Sequence, residues 1–144
     1  MGQKTVRRSM TSIFIDTSAF IALYLKGDEF HQQATTFLEN LNKESIFFTS
    51  NYILDEVYTF LRSNKGKKTA VSFAEFLAQN TQTVVLKRIN LEDEKKAFEF
   101  FRKLDLPHLS FTDCTSFALM KRLGVNEVFS FDEHFAKAGF EVVP

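Results

Sequence analysis

Five short apolar runs, separated by stretches of helical periodicity, constrain this chain more than any other feature. The runs are Ile13-Phe14-Ile15, Ile46-Phe47-Phe48, Thr83-Val84-Val85-Leu86, Val128-Phe129 and Val142-Val143. Each is short and bounded by polar residues, as buried strands are. Between them, apolar residues recur at helical spacing, as in Ala34, Phe37, Leu38 and Leu41, or Ala97, Phe98, Phe101 and Leu104. The predicted helices run from Thr17 or Ser18, either of which can cap the first, to about Leu25, and from Phe30 to Leu41. Others run from a Ser50 or Asn51 cap to Leu61, from Lys68 to Ala78, from Leu91 to Leu104, from Thr112 to Leu123 and from Glu133 to Ala138. Gly27-Asp28, the turn Asn64-Lys65-Gly66, Pro107 and Gly124 punctuate them, the last as a C-cap residue. Strand and helix alternate from end to end. That order predicts an α/β fold: one mostly parallel sheet of about five short strands, with helices on both faces.

A chain of 144 residues without repeats or linkers is one domain of ordinary size. With 44% apolar and 25% charged residues it is globular, not disordered. Its 18 phenylalanines, against no tryptophan, predict a Phe-packed interior. Eighteen basic residues balance eighteen acidic ones, so net charge does not drive the chain to nucleic acid. Any such contact needs a local patch, and the densest is Arg62-Ser63-Asn64-Lys65-Gly66-Lys67-Lys68. Arg62, Lys65, Lys67 and Lys68 are therefore candidate phosphate contacts. The lone Cys114 excludes an internal disulfide and fits a reducing cytoplasm. No run approaches the ~18 apolar residues of a membrane span. Residues 1–11 read as a polar lead-in with no apolar core of a secretory signal, and Met10 is a second candidate start.

Four acids sit where these elements deliver them. In open α/β sheets the ligand crevice lies beyond the carboxyl ends of the strands. Asp16 directly follows the first strand, and Asp132 follows Val128-Phe129 by a few residues. Asp113 opens a helix, where Ser110-x-x-Asp113 also has the spacing of a capping box. On a wheel of about 100° per residue, Glu56 lies about 40° from Phe60, at the border of the arc Ile53, Leu54, Val57, Phe60 and Leu61. Asp55 falls mid-way round the polar arc and is the solvated acid. A partly inward carboxylate such as Glu56 needs a partner. Asp132 has a competing role as cap of the last helix, and Ser130 points to its side if the strand continues. Cys114 reads as a small buried hydrophobe. His31, His108 and His134 share no metal-ligand spacing and read as surface or structural residues. Carboxylates brought into one volume need bound protons or a cation, and oxygen ligands suit a hard divalent ion.

Taken in order, these segments resemble the motifs of PIN-domain proteins. Ile13-Phe14-Ile15-Asp16-Thr17-Ser18-Ala19 is similar to their opening motif, Asp55-Glu56-Val57 to the second and Leu109-Ser110-Phe111-Thr112-Asp113-Cys114 to the third. Ser130-Phe131-Asp132-Glu133-His134-Phe135, then Ala138-Gly139-Phe140, resembles the closing segment, where Thr is commoner at the position of Ser130. The small single-domain form most resembles VapC-type toxins of prokaryotic toxin–antitoxin pairs. The resemblance implies a PIN-like nuclease domain over residues 12–144 and metal-dependent hydrolysis of RNA phosphodiester bonds. It implies Asp16, Glu56, Asp113 and Asp132 as the catalytic and metal-binding quartet, with Ser18 and Ser130 as hydroxyl partners. It also implies Mg2+ or Mn2+, a homodimer, and a cognate antitoxin whose tail occupies the acidic groove.

Phosphodiester hydrolysis requires an activated nucleophile and a sink for phosphate charge, and bound metal supplies both. Asp16 and Asp113 are expected as direct ligands, and Glu56 and Asp132 as ligands or as orienters of water. The alternative is a catalytically silent PIN-fold module that binds RNA or regulates. Aspartyl phosphotransfer is disfavoured. Asp16-Thr17-Ser18 lacks the second aspartate of haloacid-dehalogenase-like phosphatases, and the paired acids and lysine of a response-regulator receiver are missing.

Overall fold

Each of the five runs forms a strand in the computed structural model, which describes residues 11–144. The lead-in expected over 1–11 lies outside the described residues except for Thr11. The strands are β1 (Ser12–Ile15), β2 (Ile46–Ser50), β3 (Val84–Lys87), β4 (Glu127–Phe129) and β5 (Glu141–Val143). They form one sheet in the order β3-β2-β1-β4-β5, and every pairing is parallel. Ile13 and Phe14 are neighbours, so they point to opposite faces, yet both are 0% exposed. Val128 and Phe129 repeat that pattern. Both faces of the central strands are therefore covered, which is why these runs are continuously apolar.

The helices are α1 (Thr17–Tyr24), α2 (His31–Glu39), α3 (Asn51–Lys65), α4 (Lys67–Gln79), α5 (Leu91–Lys103), α6 (Phe111–Leu123) and α7 (His134–Lys137). Right-handed crossovers place α1–α4 on one face as the chain steps from β1 to β2 to β3. The chain then returns past β1 to β4 and β5, which puts α5–α7 on the other face. Phenylalanines fill both layers, as composition predicts. On the first, the edges of Phe20, Tyr24 and Tyr58 meet Phe73 at centroid distances of 5.4, 5.4 and 5.7 Å. On the second, Phe117 gathers Phe100, Phe135 and Phe140 at 5.7, 5.2 and 5.5 Å. The winding direction reverses between β1 and β4, so a crevice opens beyond their carboxyl ends.

Two local readings are corrected. α3 continues to Lys65 instead of ending at Leu61, and the turn narrows to Gly66 at φ 93. Asn64 does not break the helix because its amide donates to the Phe60 carbonyl one turn back, at 2.9 Å. Neither Thr17 nor Ser18 caps α1: Asp16 holds the N-cap position without a side-chain capping bond. Both hydroxyls are used elsewhere, in the cleft described below.

Candidate active site

Asp16 leaves β1 with its backbone N–H on the Phe129 carbonyl of β4, at 3.1 Å. That bond fixes the carboxylate at the junction of the two central strands, where it is 4% exposed. Its Oδ2 accepts from Ser18 Oγ at 3.0 Å and from Ser130 Oγ at 2.9 Å. Each hydroxyl has one proton to give. Both are aimed at Asp16, and the lone pairs accept backbone N–H groups: Phe131 onto Ser18 and Asp132 onto Ser130, each at 2.9 Å. The two serines thus orient Asp16 and also hold the turn that carries Asp132.

Glu56 projects from α3, half-buried, and accepts a 2.6 Å hydrogen bond from Thr17 Oγ1. Its inward lean matches the wheel, and Asp55 is exposed as expected. Asp113 does complete a capping box with Ser110. The same carboxylate, 8% exposed, also reaches the cleft, so cap and site residue are one. Asp132 accepts the His134 backbone N–H at 2.9 Å. Asp16, Glu56, Asp113 and Asp132 all line one cleft, together with Thr17, Ser18, Ser110 and His108.

His134 departs from its sequence reading. It is 8% exposed and sits against the acids, with Nδ1 at 3.1 Å from both Asp113 Oδ2 and Asp132 Oδ1. Its Nε2 lies 2.7 Å from the Pro107 carbonyl. A carbonyl and an ionised carboxylate only accept, so these contacts favour a proton on both ring nitrogens, the imidazolium form. Burial alone would lower its pKa; the Pro107 carbonyl, Asp132 and Asp113 more than offset that and hold it above the ordinary value. No local spacing could have announced this role, because Pro107 and Asp113 are distant in sequence.

The remaining electrostatics are unfavourable in a directed way. Burial pushes the Asp16 carboxyl up to about 7, and Asp113 adds to it against the pull of Ser130, Ser18 and the Thr17 N–H. Glu56 is raised by burial and by Asp113, Asp55 and Asp132, with Thr17 opposing. Asp113 is raised by burial and Asp132, with Ser110 and His134 opposing. Among the described residues, no Lys or Arg ion-pairs with any of the four. Ligand atoms of Asp113, Asp132 and His134 lie within 4.8 Å of one another. Because His134 already spends both nitrogens, the free capacity is carboxylate oxygen. Such a donor set, short of positive charge, fits a hard divalent cation.

The PIN domain model matches residues 13–141. The chain belongs to the PIN-domain family. It is 37% identical over 134 residues to the 23S rRNA-specific endonuclease VapC20 of Mycobacterium tuberculosis, across 92% of this chain and 98% of that protein. The crystal structure of Mycobacterium tuberculosis VapC20, a sarcin-ricin loop cleaving toxin, matches with a TM-score of 0.81 at 34% identity, over 92% of this chain and 99% of that one. VapBC2 from Rickettsia felis, bound to a DNA fragment from its promoter, shares the fold: its TM-score is 0.70 at 13% identity, with 92% and 98% covered.

Other residues of this PIN domain fall outside the cleft. Arg62, Lys65, Lys67 and Lys68 are exposed around the α3–α4 junction, and none lines the cleft. Cys114 is fully buried, and burial raises its thiol to about 11, as befits an inert core residue. Phe60 corrects the wheel: assigned there to the apolar arc, it is 41% exposed and lines the acid cleft. Thr17 was legible only as a cap, although its hydroxyl positions Glu56.

Proposed function

We propose that this PIN domain, over residues 12–144, is a Mg2+- or Mn2+-dependent endoribonuclease and the toxin of a toxin–antitoxin pair. The observation that carries the reading is the convergence of four carboxylates, from four separate segments, on one cleft without a Lys or Arg ion-pair partner among the described residues. Asp16 and Asp113 hold the cation; Glu56 and Asp132 complete its surroundings or orient water. When bound, such an ion supplies an acidified water and a clamp on the phosphate oxygens. Ser18 and Ser130 keep Asp16 in place, Thr17 keeps Glu56, and His134 keeps Asp113 and Asp132. Pre-oriented ligands lower the reorganisation needed at reaction. Arg62, Lys65, Lys67 and Lys68 contact phosphates beyond the cleft. An intact quartet disfavours the silent module.

The likeness to VapC20 supports large-subunit ribosomal RNA as substrate and a VapB-type antitoxin as partner, with action in the cytoplasm. No helix among the described residues is long and apolar enough to cross a membrane. The test is to incubate ribosomes with the protein in Mg2+ or Mn2+ and map new RNA ends by primer extension. A discrete cut in the 23S RNA, abolished by EDTA and by Asp113→Asn, is expected. Intact RNA in both metals would contradict the proposal.

A further inference from the structure

We infer that Phe60 is a stacking platform for an unpaired nucleobase of single-stranded RNA, beside the acidic quartet. The inference rests on the nuclease reading and names where its substrate is gripped. Four phenylalanines are exposed among the described residues: Phe60, Phe76, Phe98 and Phe101. Phe98 and Phe101 pack against each other at 6.5 Å, and Phe76 packs against Tyr24 at 6.4 Å. Phe60 alone among them has no ring partner, and it alone lines the acid cleft. The other two phenylalanines of the cleft, Phe30 and Phe131, are stacked on each other at 4.6 Å and 6°. An aromatic face exposed in a cleft is costly to leave uncovered.

The surroundings select the occupant. Phe60 lies four residues after Glu56 on α3, on the same helix face and about 6 Å further along the axis. A ring so placed is within reach of the base next to a phosphate held at the quartet. Asp28 and Glu29 line the same cleft, so phosphate oxygens are repelled there, whereas a neutral base is not. Every base has a π-face, so stacking grips the strand without reading its sequence. Base–aromatic stacking is worth roughly a ten- to hundred-fold change in affinity per base.

The chain contains no tryptophan, so Phe60→Trp installs a single indole, which can be excited selectively over the three tyrosines. The probe is decaadenylate in Ca2+, with an abasic decamer of equal charge for comparison. Saturable quenching by decaadenylate and none by the abasic strand is expected. In cleavage assays Phe60→Leu, which keeps the apolar bulk, raises KM about tenfold and moves kcat far less. Phe76→Leu, remote from the cleft, is the control and leaves KM unchanged. A wild type that cuts RNA, with Phe60→Leu indistinguishable from it, overturns the platform alone. Equal quenching by both strands, or a change of oligomeric state in place of KM, also overturns it. A wild type that neither cuts RNA nor binds the decamer overturns the nuclease reading along with it.

Discussion

The place the fold gives Asp16 favours its neutral, protonated form, because the carboxyl is buried. Its carboxyl titrates near 3.8 when free and at about 7 in the cleft. Between those values the unfolded chain loses a proton that the folded chain keeps. The contribution of Asp16 to stability is therefore complete below about 3.8 and is lost as pH rises through about 7. Glu56 and Asp113 are raised as well and act in the same direction. In EDTA, Asp16→Asn is expected to melt at or above the wild-type temperature at pH 8, with the gap shrinking or reversing toward pH 4. Thermal melts of the pair across that range check it. His134 is the counterweight, with a folded pKa above its ordinary 6.5. Its contribution is full below 6.5 and fades as pH rises through the folded value. His134→Ala strands the Pro107 carbonyl and removes the imidazole that faces Asp113 and Asp132. The expected cost in urea denaturation at pH 6 is about 1–3 kcal/mol, smaller at pH 9.

At the level of elements, α6 delivers Asp113, and an ion pair joins α6 to α5 beside the packing of Phe117 on Phe100 and Phe111 on Phe101. Arg122 donates from Nε and Nη2 to the two oxygens of Asp93, both at 2.8 Å, and from Nη2 to the Arg88 carbonyl at 3.1 Å. Asp93 is 3% exposed and closes the capping box of α5 with Asn90. Burial would raise its pKa, but Arg122 and the Asn90 N–H more than reverse that. Arg122→Met is expected to cost about 2 kcal/mol in urea denaturation, below the range for a fully buried pair because the Arg122 side chain is 39% exposed. Strand and helix positions were legible because apolar runs and helical periodicity are local. The Arg122–Asp93 pair was not legible, since it joins residues 29 apart. The end of α3 was misplaced because Asn64 can serve a turn or, as here, bond back into its own helix.

For the molecule as a whole, the strand order gathers the site. Asp16, Asp113 and Asp132 were legible as candidates from their places at strand and helix ends and Glu56 from its place on the helical wheel, and the PIN motifs they form strengthened that reading. His134 and Phe60 were not legible: one acquires its role from distant partners, the other from a cleft that no helical wheel contains. Leu91, Phe98 and Phe101 leave apolar surface on α5, exposed at 65, 54 and 46%. Sedimentation is expected to give a species of twice the 16.6 kDa chain, and Phe98→Glu to shift it toward monomer. Whether the four acids form a metal centre is decided by melting wild type and Asp16→Asn with and without Mn2+. Mn2+ is expected to raise the wild-type midpoint while leaving that of Asp16→Asn nearly unmoved, and without metal the variant is expected to be at least as stable at pH 8. No shift with Mn2+, together with a strongly destabilised Asp16→Asn, would contradict a metal centre and make Asp16 a structural acid.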